Sequence, residues 1–341
     1  MINLKKNKKN TFIIAEIGMS HHGNIGIAHS LIDTISTTGV DAIKFQTHYA
    51  EHESSKYEKF RNRKLSFYKN RFNYWKETEF TEQEWKDLLI HCKKKNIKFI
   101  SSPFSIYAAK ILHKIGMNIW KIASGEITNF ELLEFIKKTR KPVILSSGMS
   151  YISEIDSAYY FLKKNIKDIS VLQCTSIYPS KPKDIGLNLM EDLSKKYKCK
   201  FGLSDHSGEI YPSLAAVTLG ASIIEVHVTI SKDYFGPDTA SSLDITQLRQ
   251  LVKGIRYIDK MKNYPLDKNK KTKSIKYMKS LFEKSLFTNK DLNKDQIITR
   301  KDIAIKKPGI GIKPSDLDKV LNKKLKVNYK KNQLLKIKDL K

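Results

Sequence analysis

Short runs of aliphatic and β-branched residues recur along the chain, each closing in a polar cluster: TFIIAEIG, DAIKFQTH, IKFISSPF, IWKIASGE, KPVILSSGM, DISVLQCTS, CKFGLSDH and SIIEVHVT. Continuous apolar runs of this length read as strands buried on both faces. Between them lie stretches with apolar residues at i, i+3 and i+4, the helical period, among them GIAHSLIDTISTTG, SIYAAKILHKIG, NFELLEFIKKT, YISEIDSAYYFLKK, GLNLMEDLSKKY and YPSLAAVTLG. Gly39, Gly116 and Gly220 close three of these stretches, where a glycine ends a helix before the next strand. The alternation predicts an α/β fold. Runs of equal hydrophobicity with no obvious edge strand favour a closed (β/α)8 TIM barrel over an open doubly wound sheet.

Two stretches break the repeat. After the second run comes HYAEHESSKYEKFRNRKLSFYKNRFNYWKETEF, a charged and aromatic insertion expected to form a flap near the barrel mouth. From Asp259 the pattern gives way to DKMKNYPLDKNKKTKSIKYMK, polar and lysine-rich. The expected organisation is a barrel over 1–262, a linker over 263–280 and a small β-rich domain over 281–341.

Composition adds little. Lys and Arg number 63 against 35 Asp and Glu, a net charge of +28, but the excess is spread over periodic segments with few Arg-aromatic clusters. That spread argues against nucleic acid as a partner. Cys92, Cys174 and Cys199 are odd in number, far apart and form no CxxC, which fits a reducing cytoplasm. The early apolar run TFIIA is too short for a secretory segment, and Leu214 to Val228 carries Thr218, Ser222, Glu225 and His227. No membrane partner is expected.

In a barrel of this kind the residues just after each strand converge on one pocket. Here they are Glu16; Lys44 and Gln46; Ser101 and Ser102; Lys121, Ser124 and Glu126; Ser146 and Ser147; Thr175 to Tyr178; Ser204 to His206; and Glu225 with His227. A serine at such a place also serves as a helix cap. Lys44 and Lys121 resist so plain a reading, because each sits in an apolar strand where an unpaired ammonium is costly. Two lysines beside many hydroxyls require anions, as in a small ligand bearing phosphate and carboxylate. A Schiff-base lysine, as in barrel aldolases, is the alternative. His206 and His227 end the last two strands, which are neighbours in a closed barrel. Taken together they could share one divalent ion, with water and substrate oxygens completing the shell; Mn²⁺ suits imidazoles better than Mg²⁺. His21 and His22 read as turn residues before a helix cap.

Nine motifs in order, AEIGMSHHG, KFQTH, SSPFS, KIASGEITN, ILSSGM, CTSIYP, GLSDHS, EVHVT and GPD, with a tail around IKKPGIGI, resemble the sialic acid synthase family. The resemblance covers nearly the whole chain. It implies a (β/α)8 barrel followed by an antifreeze-like (SAF) domain that covers the active site of a partner in a domain-swapped homodimer. It implies a transferase that condenses phosphoenolpyruvate with an N-acetylhexosamine, N-acetylmannosamine by default, or with a 2,4-diacetamido-2,4,6-trideoxyhexose on the legionaminate or pseudaminate route. By motif, His206 and His227 would hold Mn²⁺, or Mg²⁺ or Co²⁺ in its place. Lys44, Lys121, Ser102, Ser124, Ser146 and Ser204 would hold phosphoenolpyruvate. Glu16, Gln46, Glu126, Tyr178 and Asp238 would line the reacting centre and the sugar, with Glu16 or Glu126 as the base. The family often has Asn at Ser176 and a sugar-binding Arg at Lys307, and GPDTASSLD lacks its usual HKASL. All these departures touch sugar recognition. A protein of another class, binding polyanions through its positive surface, is the contrasting expectation.

Overall fold

A computed structural model describes residues 10–60, 68, 70–270 and 272–341. The chain divides into two compact units, Met1–Tyr264 and Pro265–Lys341. In the first, β1 (Phe12–Gly18), β2 (Ala42–Thr47), β3 (Lys98–Pro103), β4 (Trp120–Ile122), β5 (Val143–Ser146), β6 (Ile169–Cys174), β7 (Lys200–Asp205) and β8 (Ile223–Val228) pair in parallel in sequence order. Pairing of β1 with β8 closes the barrel, and a short β9 (Ser242–Leu243) adds to β8. Each of the eight apolar runs is a strand.

The helices that return the chain are α1 (Ile25–Ser36), α2 (Ala50–Glu53), α3 (Arg71–Thr78), α4 (Glu82–Lys94), α5 (Ile106–Lys114), α6 (Phe130–Thr139), α7 (Ile152–Lys163), α8 (Leu187–Tyr197), α9 (Tyr211–Thr218) and α10 (Ile245–Asn263). Apart from α2 and α3, whose Ala50, Tyr74 and Trp75 form a separate cluster with Met19, their apolar faces pack on the outside of the barrel in one continuous core. Asn24 caps α1 by accepting from the Ile27 amide, and Gly39, Gly116 and Gly220 all take positive φ beyond helix ends. Those left-handed positions are what the glycines supply.

The polar stretch from Asp259 is in part helix. Asp259 lies inside α10, buried, where its carboxylate accepts from the Thr11 amide at 2.9 Å and the Thr11 hydroxyl at 2.7 Å. Arg256 donates to Asp41 at 2.7 Å, so the end of α10 ties down the start of the barrel. Polarity signalled a linker here because both partners lie more than 200 residues away in sequence. The segment read as linker also holds α11 (Lys273–Phe282), capped by Thr272. The second unit continues with an antiparallel pair, β10 (Ser285–Thr288) and β11 (Ile303–Lys306), and isolated bridges around a core of Leu286, Leu292, Ile298, Ile303 and Leu325. Among the described residues no helix is long and apolar enough to cross a membrane.

Candidate active site

Strand alternation builds the site in layers. Ile14, Ala42, Ile100, Ile119, Ile144, Leu172 and Ile223 form a small cluster inside the barrel. Two residues further along the same strands, on the same face, stand Glu16, Lys44, Ser102, Lys121, Ser146, Cys174 and Glu225, all buried. On β7 the same step runs from Gly202 to Ser204. Gly202 has no room for a side chain, since a Cβ there would meet the Ile223 carbonyl at 1.9 Å. The plug ends where the polar layer begins. One step higher come Gln46, Phe104, Ser176, His206 and His227, which line a cavity of about 460 Å³ over that layer.

The polar layer is a network. Lys44 Nζ lies 2.7 Å from Glu16 Oε2 and 3.8 Å from Glu225 Oε1, and donates to Ser102 Oγ at 3.3 Å. Lys121 Nζ lies 3.4 Å from the same Glu225 oxygen and donates to Ser146 Oγ at 2.6 Å. Ser204 donates to Glu225 at 3.2 Å, and Gln46 Nε2 donates to Glu16 Oε1 at 2.8 Å. The carboxylates of Glu16 and Glu225 thus supply the counter-charges that the sequence argument assigned to a ligand alone. Burial favours neutral Glu225, but Lys121 and Lys44 outweigh it and bring its pKa down to about 2. Burial raises the pKa of Glu16 and lowers that of Lys121. Lys44, flanked by both carboxylates, is raised despite burial.

The two histidines lie together, with ring centroids 5.1 Å apart. His206 Nδ1 donates to the Thr175 carbonyl at 2.8 Å, which sets the tautomer and leaves the Nε2 lone pair toward Tyr178, whose hydroxyl is 3.3 Å away. Tyr178 also stacks on that ring at 4.2 Å. His227 Nδ1 has no hydrogen-bond partner and lies 3.9 Å from Asp238. Burial holds the pKa of His227 to about 3, so the ring is neutral, the coordinating form. Two imidazoles, one with its tautomer set by a backbone carbonyl and one neutral with an orphaned buried nitrogen, fit a divalent ion. Among the described residues no group of three His, Cys, Asp or Glu side chains could hold a metal, so an ion held by the two histidines would need other oxygens to complete its shell. Gly18, beside His227, takes a positive φ of 52°, a backbone conformation that favours glycine.

Ser124, Glu126, Ser176, Tyr178, Ser204 and Asp238 line the same cavity. Burial raises the pKa of Glu126, against a hydrogen bond from Asn129 at 2.8 Å. Glu16 instead lies beneath the cavity with each oxygen engaged. Lys307 belongs to the second unit, where its ammonium sits 5.0 Å from the centre of the Phe282 ring. The insertion supplies a wall of Glu53, Glu58, Phe60, Arg71, Tyr74 and Trp75. Its residues 61–67 and 69 fall outside the described residues. His48 was not among the residues expected at the pocket, and Glu225 was placed there without a role. Glu225 carries the same signal as Lys44, a charge inside an apolar strand.

His21 takes no part in the pair. It is buried against Phe80, 4.6 Å between rings, and its Nδ1 accepts from the Gly23 amide. Burial holds its pKa to about 3. In the unfolded chain this group takes up a proton below about pH 6.5 while the folded state does not, so stability falls as pH falls. Between pH 7 and pH 5 the wild type should lose about 2 kcal/mol that His21→Phe keeps. Urea midpoints at the two pH values check this, and equal losses would refute it.

Residues 31–265 match the NeuB family and residues 283–341 the SAF domain. An N,N'-diacetyllegionaminic acid synthase of Campylobacter jejuni is 34% identical over 96% of this chain and 99% of its own length. A mouse N-acetylneuraminate-9-phosphate synthase is 32% identical over 74% of this chain and 72% of its own. Among solved structures, an N-acetylneuraminic acid synthetase from Leptospira borgpetersenii, in complex with citrate, is 34% identical over 79% of this chain and 90% of its own, with a TM-score of 0.69.

Proposed function

This chain belongs to the NeuB family, and from that premise we propose that it condenses phosphoenolpyruvate with a 2,4-diacetamido-2,4,6-trideoxyhexose to give a nonulosonic acid and phosphate. It is a nonulosonic acid synthase, a phosphoenolpyruvate-condensing transferase. The observation that carries the reading is the buried layer of Lys44 and Lys121 among the hydroxyls of Ser102, Ser146 and Ser204. With Ser124 above, it offers charge-assisted hydrogen bonds to phosphate and carboxylate. Glu16 and Glu225 already balance the two lysines, so an anionic ligand here gains from further positive charge, which a divalent ion at His206 and His227 provides.

Carbon-carbon bond formation comes first, from C3 of phosphoenolpyruvate to the aldehyde carbon of the open-chain sugar. His206 and His227 would hold a divalent ion, Mn²⁺ in this reading, which would supply Lewis-acid polarisation of the aldehyde oxygen. Positive charge then grows at C2, water adds there, and phosphate departs with the bridging oxygen. Glu126 lines the cavity and is the group we assign to take the proton of that water, a role worth roughly 10²- to 10⁴-fold in rate. Glu16, with both oxygens engaged beneath, orients Lys44 instead.

The acceptor choice rests on the wall. Met19, Phe60, Tyr74 and Met149 line the cavity beside Glu53, Glu58 and Arg71, a mixed wall whose apolar part suits a methyl at C6 and whose polar part suits a second acetamido group. The resemblance further supports a cytoplasmic homodimer in which Lys307 of the partner subunit meets the acceptor. Phosphate release with phosphoenolpyruvate and Mn²⁺ should show a kcat/KM for the diacetamido sugar at least about tenfold above that for N-acetylmannosamine, the order of one well-filled apolar contact. The reverse order would return the acceptor to N-acetylmannosamine.

A further inference from the structure

His48 directly follows β2 and is 5% exposed. Its ring is clamped between Trp75, 3.9 Å away at 15°, and Phe104, 4.3 Å away at 20°. Nδ1 faces Glu53 Oε1 at 2.6 Å, and Nε2 faces the side-chain oxygen of Gln46 at 3.2 Å. The Gln46 amide nitrogen in turn donates to Glu16 Oε1, and the other oxygen of Glu16 meets Lys44. One chain of contacts therefore runs from α2 in the insertion, through a stacked ring, to an ammonium of the polar layer.

We infer that His48 is a positioning residue whose Nε2–H holds the Gln46 amide in the orientation that donates to Glu16. The inference rests on the synthase reading for its consequence in turnover, and on geometry for the positioning itself. An amide has two faces of opposite character. With its nitrogen on Glu16, its oxygen must receive a hydrogen from the other side, and His48 is the group there. Glu53 Oε1 accepts from Nδ1, so the ring donates from both nitrogens, while Trp75 and Phe104 prevent it from turning out of plane. Without that hydrogen the amide is free to turn over and set its oxygen against the Glu16 carboxylate, two acceptors facing each other. Gln46 also lines the cavity, so a loosened amide disturbs the acceptor more than phosphoenolpyruvate, whose lysines keep Ser102, Ser146 and Glu225.

Three variants separate this role from a structural one. His48→Phe keeps the stack and loses both nitrogens; the amide nitrogen of Gln in His48→Gln overlays Nε2, and that of Asn in His48→Asn overlays Nδ1. We expect His48→Phe and His48→Asn to lower acceptor kcat/KM about tenfold, with KM for phosphoenolpyruvate within about twofold of wild type, and His48→Gln to recover most of the loss. The Gln46 side-chain amide resonance, assigned by its loss in Gln46→Glu, should stay protected from exchange in wild type and His48→Gln and exchange freely in the other two. Wild-type kinetics and an unaltered resonance in His48→Phe, or rescue by Asn equal to that by Gln, would overturn the inference. If the wild type releases no phosphate with any acceptor, the synthase reading falls while the amide resonance still decides the role of His48.

Discussion

Glu225→Gln should lower the stability of this protein by roughly 3–5 kcal/mol, the cost of leaving a buried charge without its partner. Glu225 is fully buried and shares one oxygen between Lys44, at 3.8 Å, and Lys121, at 3.4 Å. Lys44 would retain Glu16, but Lys121 would keep no carboxylate and only the Ser146 hydroxyl. An ammonium so placed either loses its proton or admits water, and both weaken the barrel floor. Chemical denaturation reads the loss directly. Lys121→Met in the same chain should restore a large part of it, because the unpaired charge goes with the lysine. A Glu225→Gln protein within about 1 kcal/mol of wild type, below the range for a broken buried pair, would show that the two lysines do not depend on this carboxylate.

His227→Ala should abolish metal-dependent turnover, with a loss of more than about a hundredfold, while the protein stays folded. The fold survives because the side chain leaves one nitrogen without a hydrogen-bond partner, so its removal breaks no bond at Nδ1. A second reading does not depend on turnover. Mn²⁺ that binds the folded state raises the melting temperature of the wild type, and this rise should be missing in His227→Ala. Wild-type activity in the variant, or an undiminished thermal shift, would remove His227 from the metal site.

The fold was readable because local pattern and global topology agree. Each barrel strand is a largely apolar run and the helices that alternate with them keep a 3.6-residue period, whereas α2 and α3 of the insertion carry no such signal. The buried polar layer was readable only in part. Lys44 and Lys121 stand out as charges within apolar strands, and His206 and His227 as polar residues at strand ends. What bound them together was not visible, since Glu225 reaches both lysines across the barrel interior and no sequence spacing encodes that meeting. The same holds for Asp259, whose partner Thr11 is 248 residues away, and for His48, whose two stacking rings come from the insertion and from the end of β3. Our proposal of Glu126 over Glu16 as the base rests on depth in the pocket, which alternation along a strand does not give.

The central claim is that the paired lysines hold phosphoenolpyruvate for attack on a sugar aldehyde, with cleavage between carbon and oxygen. Its most direct test is turnover of phosphoenolpyruvate carrying heavy oxygen at the atom that bridges C2 and phosphorus, in the presence of Mn²⁺ and the diacetamido sugar. The account predicts phosphate release that depends on the acceptor, with all of the heavy oxygen in the phosphate and none in the nonulosonic acid. Heavy oxygen retained in the sugar product, or phosphate released at the same rate without any acceptor, would contradict it.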